Sequence, residues 1–126
     1  MDWAKDISAI TLFVEDVGEA KAFYLKVFGL PVVFEDPASV VFRVGGTLIN
    51  LLKADAAHEL IAPASVGGAD GSARMQLTIP VDDVDAVCAE LIRRGVTLLN
   101  GPMDRPWGIR TASFTAPGGH IWEIAH

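Results

Sequence analysis

The sequence predicts an α+β fold made of two β-α-β-β-β modules related by a pseudo-two-fold axis. Two internal matches and a shared order of elements predict it. Residues 10–24, ITLFVEDVGEAKAFY, fall on residues 77–91, LTIPVDDVDAVCAEL, at an offset of 67. Thr11 then meets Thr78, Val14 meets Val81, Asp16 meets Asp83, Val17 meets Val84 and Ala22 meets Ala89. Residues 45–51, GGTLINL, fall on residues 118–124, GGHIWEI, at an offset of 73, pairing Leu48 with Ile121 and Leu51 with Ile124. The change of offset asks for six extra residues in the second half, and residues 100–108, with two prolines and two glycines, are where they are expected. Strand–helix pairs are common enough to match by chance. The same order in both halves argues instead for duplication, and a period near 70 is longer than the common solenoid repeats.

Each element has a local reason. Residues 7–14 alternate and are rich in Ile, Leu, Phe and Val, as a half-buried strand requires. Asp16 can cap the helix that follows. Ala20, Phe23, Tyr24, Val27 and Phe28 form its apolar stripe at helical spacing. Gly29 ends that helix and Pro31 prevents continuation. Strands follow near 31–35, 39–44 and 47–53, with turns at Asp36-Pro37 and Gly45-Gly46. Residues 54–73 hold Ala, Gly, Ser and Pro without clear period and read as a linker, with a short helical turn near 58–61. The second copy repeats the order. A strand at 74–80 leads to Asp83 as cap, and a helix at 84–94 carries Val84, Val87, Cys88 and Leu91 inward. Gly95 stops it, and strands follow near 96–99, 110–115 and 120–125. One domain is thus expected over residues 1–126, with module one near 7–53 and module two near 74–126.

Composition narrows the function. The chain has 126 residues, 51% hydrophobic and 21% charged, as a soluble globular domain has. Ten Lys and Arg stand against 16 Asp and Glu, a net charge of -6. Such a surface repels phosphate backbones, so no nucleic-acid partner is expected. No apolar run approaches the roughly 20 residues of a membrane span, so no membrane partner is expected. The N-terminal residues lack the apolar core of a signal peptide. The single cysteine, Cys88, allows no internal disulfide and suits a reducing, cytoplasmic setting. On the buried stripe it reads as a small core residue, not a nucleophile.

Paired modules with these motifs resemble the vicinal-oxygen-chelate superfamily, the family of glyoxalase I, bleomycin-resistance proteins and extradiol dioxygenases. The carrying residues are ITLFVEDV, the pair Phe23-Tyr24 with Phe28-Gly29-Leu30, and the closing WGIRTASFTAPGGHIWEI. That last segment is similar to the family's W-G-x-R…F-x-D-P-x-G-H-x-W-E-I ending, with Ala116 where the family has Asp. The resemblance implies a glyoxalase-like fold, in which each module curls its sheet and two modules form a cup. It further implies that metal-dependent members take one ligand from the first strand and one from the last strand of each module. In this sequence those positions are Ala9 and Gln76, aligned at the first offset, and Asn50 and Glu123, aligned at the second.

A catalytic divalent site needs about three good protein ligands, usually His, Asp, Glu or Cys. Glu123 is the one carboxylate of the four. Gln76 and Asn50 offer neutral amides, and Ala9 offers nothing. The histidines do not repair the set. His120 stands an odd number of steps from Glu123, hence on the other face of a strand. His58 is in the linker, and His126 is terminal and expected to be mobile. No metal or other cofactor is therefore expected, and the set suits hydrogen bonding to a ligand better than Lewis-acid chemistry. Glu123 has two further readings: a structural network with Gln76 and Asn50, or a base or proton donor facing the cavity.

Residues 105–110, RPWGIR, are the other concentration of chemistry. Trp107 can stack on a planar ligand and Arg110 can pair with a carboxylate or phosphate. Against this, Trp107 can simply cover the core and Arg110 can pair with a surface acid. Trp122 alternates with Glu123 and reads as core. The acid–valine runs at Asp16 and Asp83 read as caps. The favoured function is a small-molecule binding protein, with antibiotic sequestration as the precedent that the resemblance implies. An acidic surface suits a cationic drug, although Arg105 and Arg110 would repel one locally. The alternative is a metal-dependent or acid/base lyase, isomerase or dioxygenase using Glu123. A homodimer is expected from the resemblance and the high apolar content.

Overall fold

In the computed structural model, which describes residues 2–68 and 70–126, the chain forms two units, Met1–Ala69 and Asp70–His126, and both carry one topology. The first unit begins with β1 (Ala9–Val14), whose alternation buries Leu12 and Val14 and leaves Thr11 exposed. Helix α1 (Val17–Phe28) starts where the Asp16 carboxylate accepts the Glu19 N–H at 3.0 Å. It stops at Gly29, whose left-handed φ of 64° suits a residue without Cβ. Strands β2 (Val32–Asp36), β3 (Ser39–Val44) and β4 (Thr47–Lys53) follow. The sheet order is β1-β4-β3-β2, with β1 parallel to β4 and the remaining pairs antiparallel. Ala20, Tyr24 and Val27 of α1 are buried, as are Leu12, Val14, Val40, Phe42, Ile49 and Leu51 of the sheet. The Tyr24 and Phe42 rings lie 5.3 Å apart. Strand alternation therefore commits one face of this sheet to the core with α1 and leaves Thr11, Val41 and Asn50 on the other.

The second unit repeats the design with β5 (Gln76–Pro80), α3 (Val84–Arg93), β6 (Leu98–Asp104), β7 (Arg110–Thr115) and β8 (Ile121–Ala125). Its order is β5-β8-β7-β6, again with the first and last strands parallel. The Asp83 carboxylate caps α3 by accepting the Ala86 N–H at 3.0 Å. Val84, Cys88 and Leu91 are buried, as are Ala112, Phe114, Trp122 and Ile124. Burial pushes the Cys88 thiol above its ordinary pKa, helped by Asp85 and opposed by Arg110, as suits an inert core thiol. Replacing Asp83 by alanine is expected to lower the unfolding free energy by about 1 kcal/mol, whereas Asp83→Ser stays within a few tenths. Urea melts of the two variants check this, and equal melts would remove the cap from the account.

Four expectations are corrected. The segment after β4 is not a linker with one helical turn: it opens at once with α2 (Ala54–Ile61), which buries Ala54 and Ala57. Small side chains at three-residue spacing let this helix lie against β4 and β1. The strand expected at 96–99 is β6, which runs on through Asp104 with two register shifts. Bulges let the ladder absorb the Gly-Pro pair that reads as a loop in sequence. The six extra residues are also divided. The offset is 67 at Thr11 and Thr78, 72 at Val41 and Ser113, and 73 at Asn50 and Glu123, so five precede β7 and one lies in the β7–β8 turn. Finally, the His126 backbone is tied to Arg110 by two hydrogen bonds of 3.0 Å, prolonging the β7–β8 ladder instead of fraying.

Candidate functional site

Register sorts the candidate residues by face. In the second unit Asn100 stands opposite Ser113, Ser113 opposite Glu123, and Glu123 opposite Thr78. This is one polar row across all four strands. Phe114 and Trp122, their immediate neighbours, point the other way and are buried. Gln76 lies two residues from Thr78 and so on the same face. The Thr78 hydroxyl donates to Glu123 Oε1 at 3.0 Å. Among the described residues that is the carboxylate's one hydrogen bond, and no cation pairs with it. Glu123 is half-buried.

The two arginines of residues 105–110 part company. Arg110 opens β7 on the face of Ala112 and Phe114. There its guanidinium pairs with Asp85 of α3 at 2.9 Å and with Asp104 at 3.0 Å. Those hydrogen bonds, to Asp85 first and then Asp104, raise its pKa above the ordinary arginine value. Arg110 is thus on the opposite face from Glu123. Arg105 is on the Glu123 face, because its Nε donates to Thr111 Oγ1 at 2.8 Å and its Nη2 to Asn100 Oδ1 at 3.2 Å. Thr111, two residues from Ser113, is fully buried. Trp107 sits in the connection between β6 and β7 and is 69% exposed. His120 ends the β7–β8 turn, where its carbonyl accepts the Ala116 N–H at 2.8 Å. Its Nδ1 is buried with no hydrogen-bond partner among the described residues, and burial holds the imidazole below its ordinary pKa, opposed by the nearby Pro117 backbone.

In the first unit the equivalent row is Phe34, Val41, Asn50 and Thr11, apolar at the edge and polar at β4 and β1. Asn50 Oδ1 is buried with no hydrogen-bond partner among the described residues, and a buried acceptor left unpaired costs about 1–3 kcal/mol. Ala9 stands opposite Leu48, one step along this face, and brings no polar group.

The resemblance implies Ala9, Asn50, Gln76 and Glu123 as the positions to test for a metal. The residues present do not fit a catalytic divalent ion, since they supply one carboxylate, two neutral amides and a methyl group. Among the described residues no three His, Cys, Asp or Glu side chains gather into a group able to hold a metal ion. The expected caps hold too: Asp16 and Asp83 spend a carboxylate oxygen on a helix N-terminus. Sequence reasoning missed Thr78, Ser113, Asn100 and Arg105 as members of the Glu123 face. The Thr11–Thr78 match was the available signal for the first of them.

A model of the Glyoxalase/Bleomycin resistance protein/Dioxygenase superfamily matches residues 6–124. The chain is 31% identical over 120 residues to the uncharacterized Bacillus subtilis protein YraH, covering 91% of this chain and 93% of that one. Among solved structures, a glyoxalase/bleomycin resistance protein/dioxygenase from Nocardioides superposes with a TM-score of 0.89 at 20% identity, covering 99% and 85% of the two chains. At that identity the likeness speaks for the fold alone. A lactoylglutathione lyase from Agrobacterium tumefaciens superposes with a TM-score of 0.77 at 25% identity, over 96% of this chain and 92% of that one. Among the described residues no helix is long and apolar enough to cross a membrane.

Proposed function

The chain belongs to the Glyoxalase/Bleomycin resistance protein/Dioxygenase superfamily, and from that premise we propose that it is a small-molecule binding protein whose ligand is held by hydrogen bonds on the Glu123 face. One observation carries the reading. Glu123 is a half-buried carboxylate with no cationic partner among the described residues, and only Thr78 bonds to it. A carboxylate so placed is stabilised when a donor reaches its free oxygen. The ligand group at Glu123 is therefore an N–H or O–H donor or a cation. Gln76 extends the same polar face. Trp107, exposed and two residues along the chain from Arg105, serves as a stacking surface in this reading. Arg110, engaged by Asp85 and Asp104, stays outside the proposed site. Bleomycin resistance is among the activities that the family's name carries, and in this reading the protein sequesters its ligand as a cytoplasmic homodimer.

The test is native mass spectrometry with elemental analysis of protein purified without a metal-chelating tag. A small organic molecule is expected to be retained, with metal far below one ion per chain. Glu123→Ala is expected to weaken retention about tenfold or more, as loss of a charged hydrogen bond does. Stoichiometric metal would overturn the reading. A Glu123→Gln protein that keeps the molecule but no longer converts it would establish acid/base catalysis in its place.

A further inference from the structure

We infer that Arg105 is an anion-binding residue of the Glu123 face, so that the ligand carries a carboxylate or phosphate as well as the donor that meets Glu123. The inference rests on the reading that this face binds a small molecule. A guanidinium has five N–H donors. Arg105 gives one to Thr111 and one to Asn100, both uncharged, and three remain without a partner among the described residues. Among the described residues no carboxylate pairs with it: its chain neighbour Asp104 turns to Arg110 on the other face. The side chain is nonetheless held. Its Nε is fixed to a fully buried hydroxyl on β7 and its Nη2 to an amide on β6. The connection that carries it is itself pinned, with the Arg105 N–H donating to the Ile109 carbonyl at 2.7 Å. An oriented, half-buried, unneutralised guanidinium is the arrangement that binds oxyanions through paired N–H bonds.

Its position relative to Glu123 follows from register. Thr111 stands opposite Ala125, and Glu123 is two residues further back on β8. Diagonal neighbours of this kind lie about 7–8 Å apart on one face. The guanidinium anchored at Thr111 and the Glu123 carboxylate thus share one face, and among the described residues they form no ion pair with each other. A molecule presenting an anion to Arg105 and a donor or cation to Glu123 would satisfy both. This also answers the conflict between the acidic surface and the local arginines: Arg105 attracts one end of the ligand and Glu123 the other.

The experiment titrates sodium benzoate, phenyl phosphate and benzamidinium chloride into the wild type, Arg105→Gln, Arg105→Lys and Glu123→Gln. Calorimetry gives affinity, and the Arg105 Nε–Hε resonance reports contact directly. At least one of the two anions is expected to bind saturably and shift that resonance. Arg105→Gln then weakens it about tenfold or more, Arg105→Lys less, and Glu123→Gln does not weaken it. The tighter of benzoate and phenyl phosphate identifies the group as carboxylate or phosphate. Anion affinity within twofold of wild type in a folded Arg105→Gln protein overturns the assignment. So does benzamidinium binding that needs Glu123 while neither anion binds, and in that case the Glu123 reading survives. Binding of none of the three overturns both. Where Arg105→Gln fails to fold, the wild-type resonance shift and the lysine variant decide.

Discussion

Gly101→Ala is expected to destabilise the protein by about 3 kcal/mol or more, the sum of a strained backbone and an overpacked contact. Gly101 adopts a φ of 86°, a conformation that L side chains rarely take. A Cβ there would also stand 2.5 Å from the Thr111 carbonyl oxygen and 2.7 Å from the Ala112 Cα. Those neighbours are backbone of a central strand and cannot swing aside as the end of a flexible side chain can. Gly108 supplies the control. Its φ of 97° is equally unusual, but nothing lies within 4 Å of the added Cβ. Gly108→Ala should therefore show the conformational part alone, about 1 kcal/mol. Urea unfolding separates the two variants. A Gly101→Ala protein within 1 kcal/mol of wild type would mean that β6 does not lie this close to β7. The effect reaches the site, because β6 carries Asn100, which holds Arg105.

The duplicated fold was legible because its signals are local or symmetric. Alternation at residues 10–14, the carboxylates of Asp16 and Asp83 ahead of each helix, and the Gly29 stop each act within a few residues. The offset of 67 carries over unchanged between β1 and β5. Glu123 was also legible, since strand parity sets it apart from Trp122. What failed involves partners distant in sequence. Residues 100–104 contain Gly and Pro and read as loop, yet two register shifts let them pair with β7. Arg105 and Arg110 look alike in sequence, five residues apart in one turn-rich stretch. Which of them shares a face with Glu123 depends on register through those bulges and on where Asp85 and Thr111 sit. The orphaned Asn50 oxygen is likewise a property of its neighbours, and no spacing rule announces it.

The assignment of faces on β7 makes its own demand on two adjacent residues. Phe114→Ala is expected to cost about 3–5 kcal/mol, the range for deleting a fully buried aromatic ring. Phe114 is 1% exposed and stands opposite Trp122 on the face buried with α3. Against a total stability of about 5–15 kcal/mol, that loss is a large share. Ser113 is nearly as buried, at 4% exposure, but stands opposite Glu123 in the polar row. Ser113→Ala removes one oxygen and leaves no sizeable cavity, so its cost should stay near 1 kcal/mol or below. Burial alone would rank the two substitutions together; the separation comes from what each side chain packs against. The functional consequences should be reversed. Ser113→Ala alters the row that carries Glu123 and should change ligand or benzamidinium affinity. Phe114→Ala, assayed at a temperature where it is folded, should leave that affinity within about twofold. Urea melts and calorimetry on both variants give the comparison, and a Ser113→Ala protein as unstable as Phe114→Ala would place Ser113 in the core and dissolve the polar row on which the binding face rests.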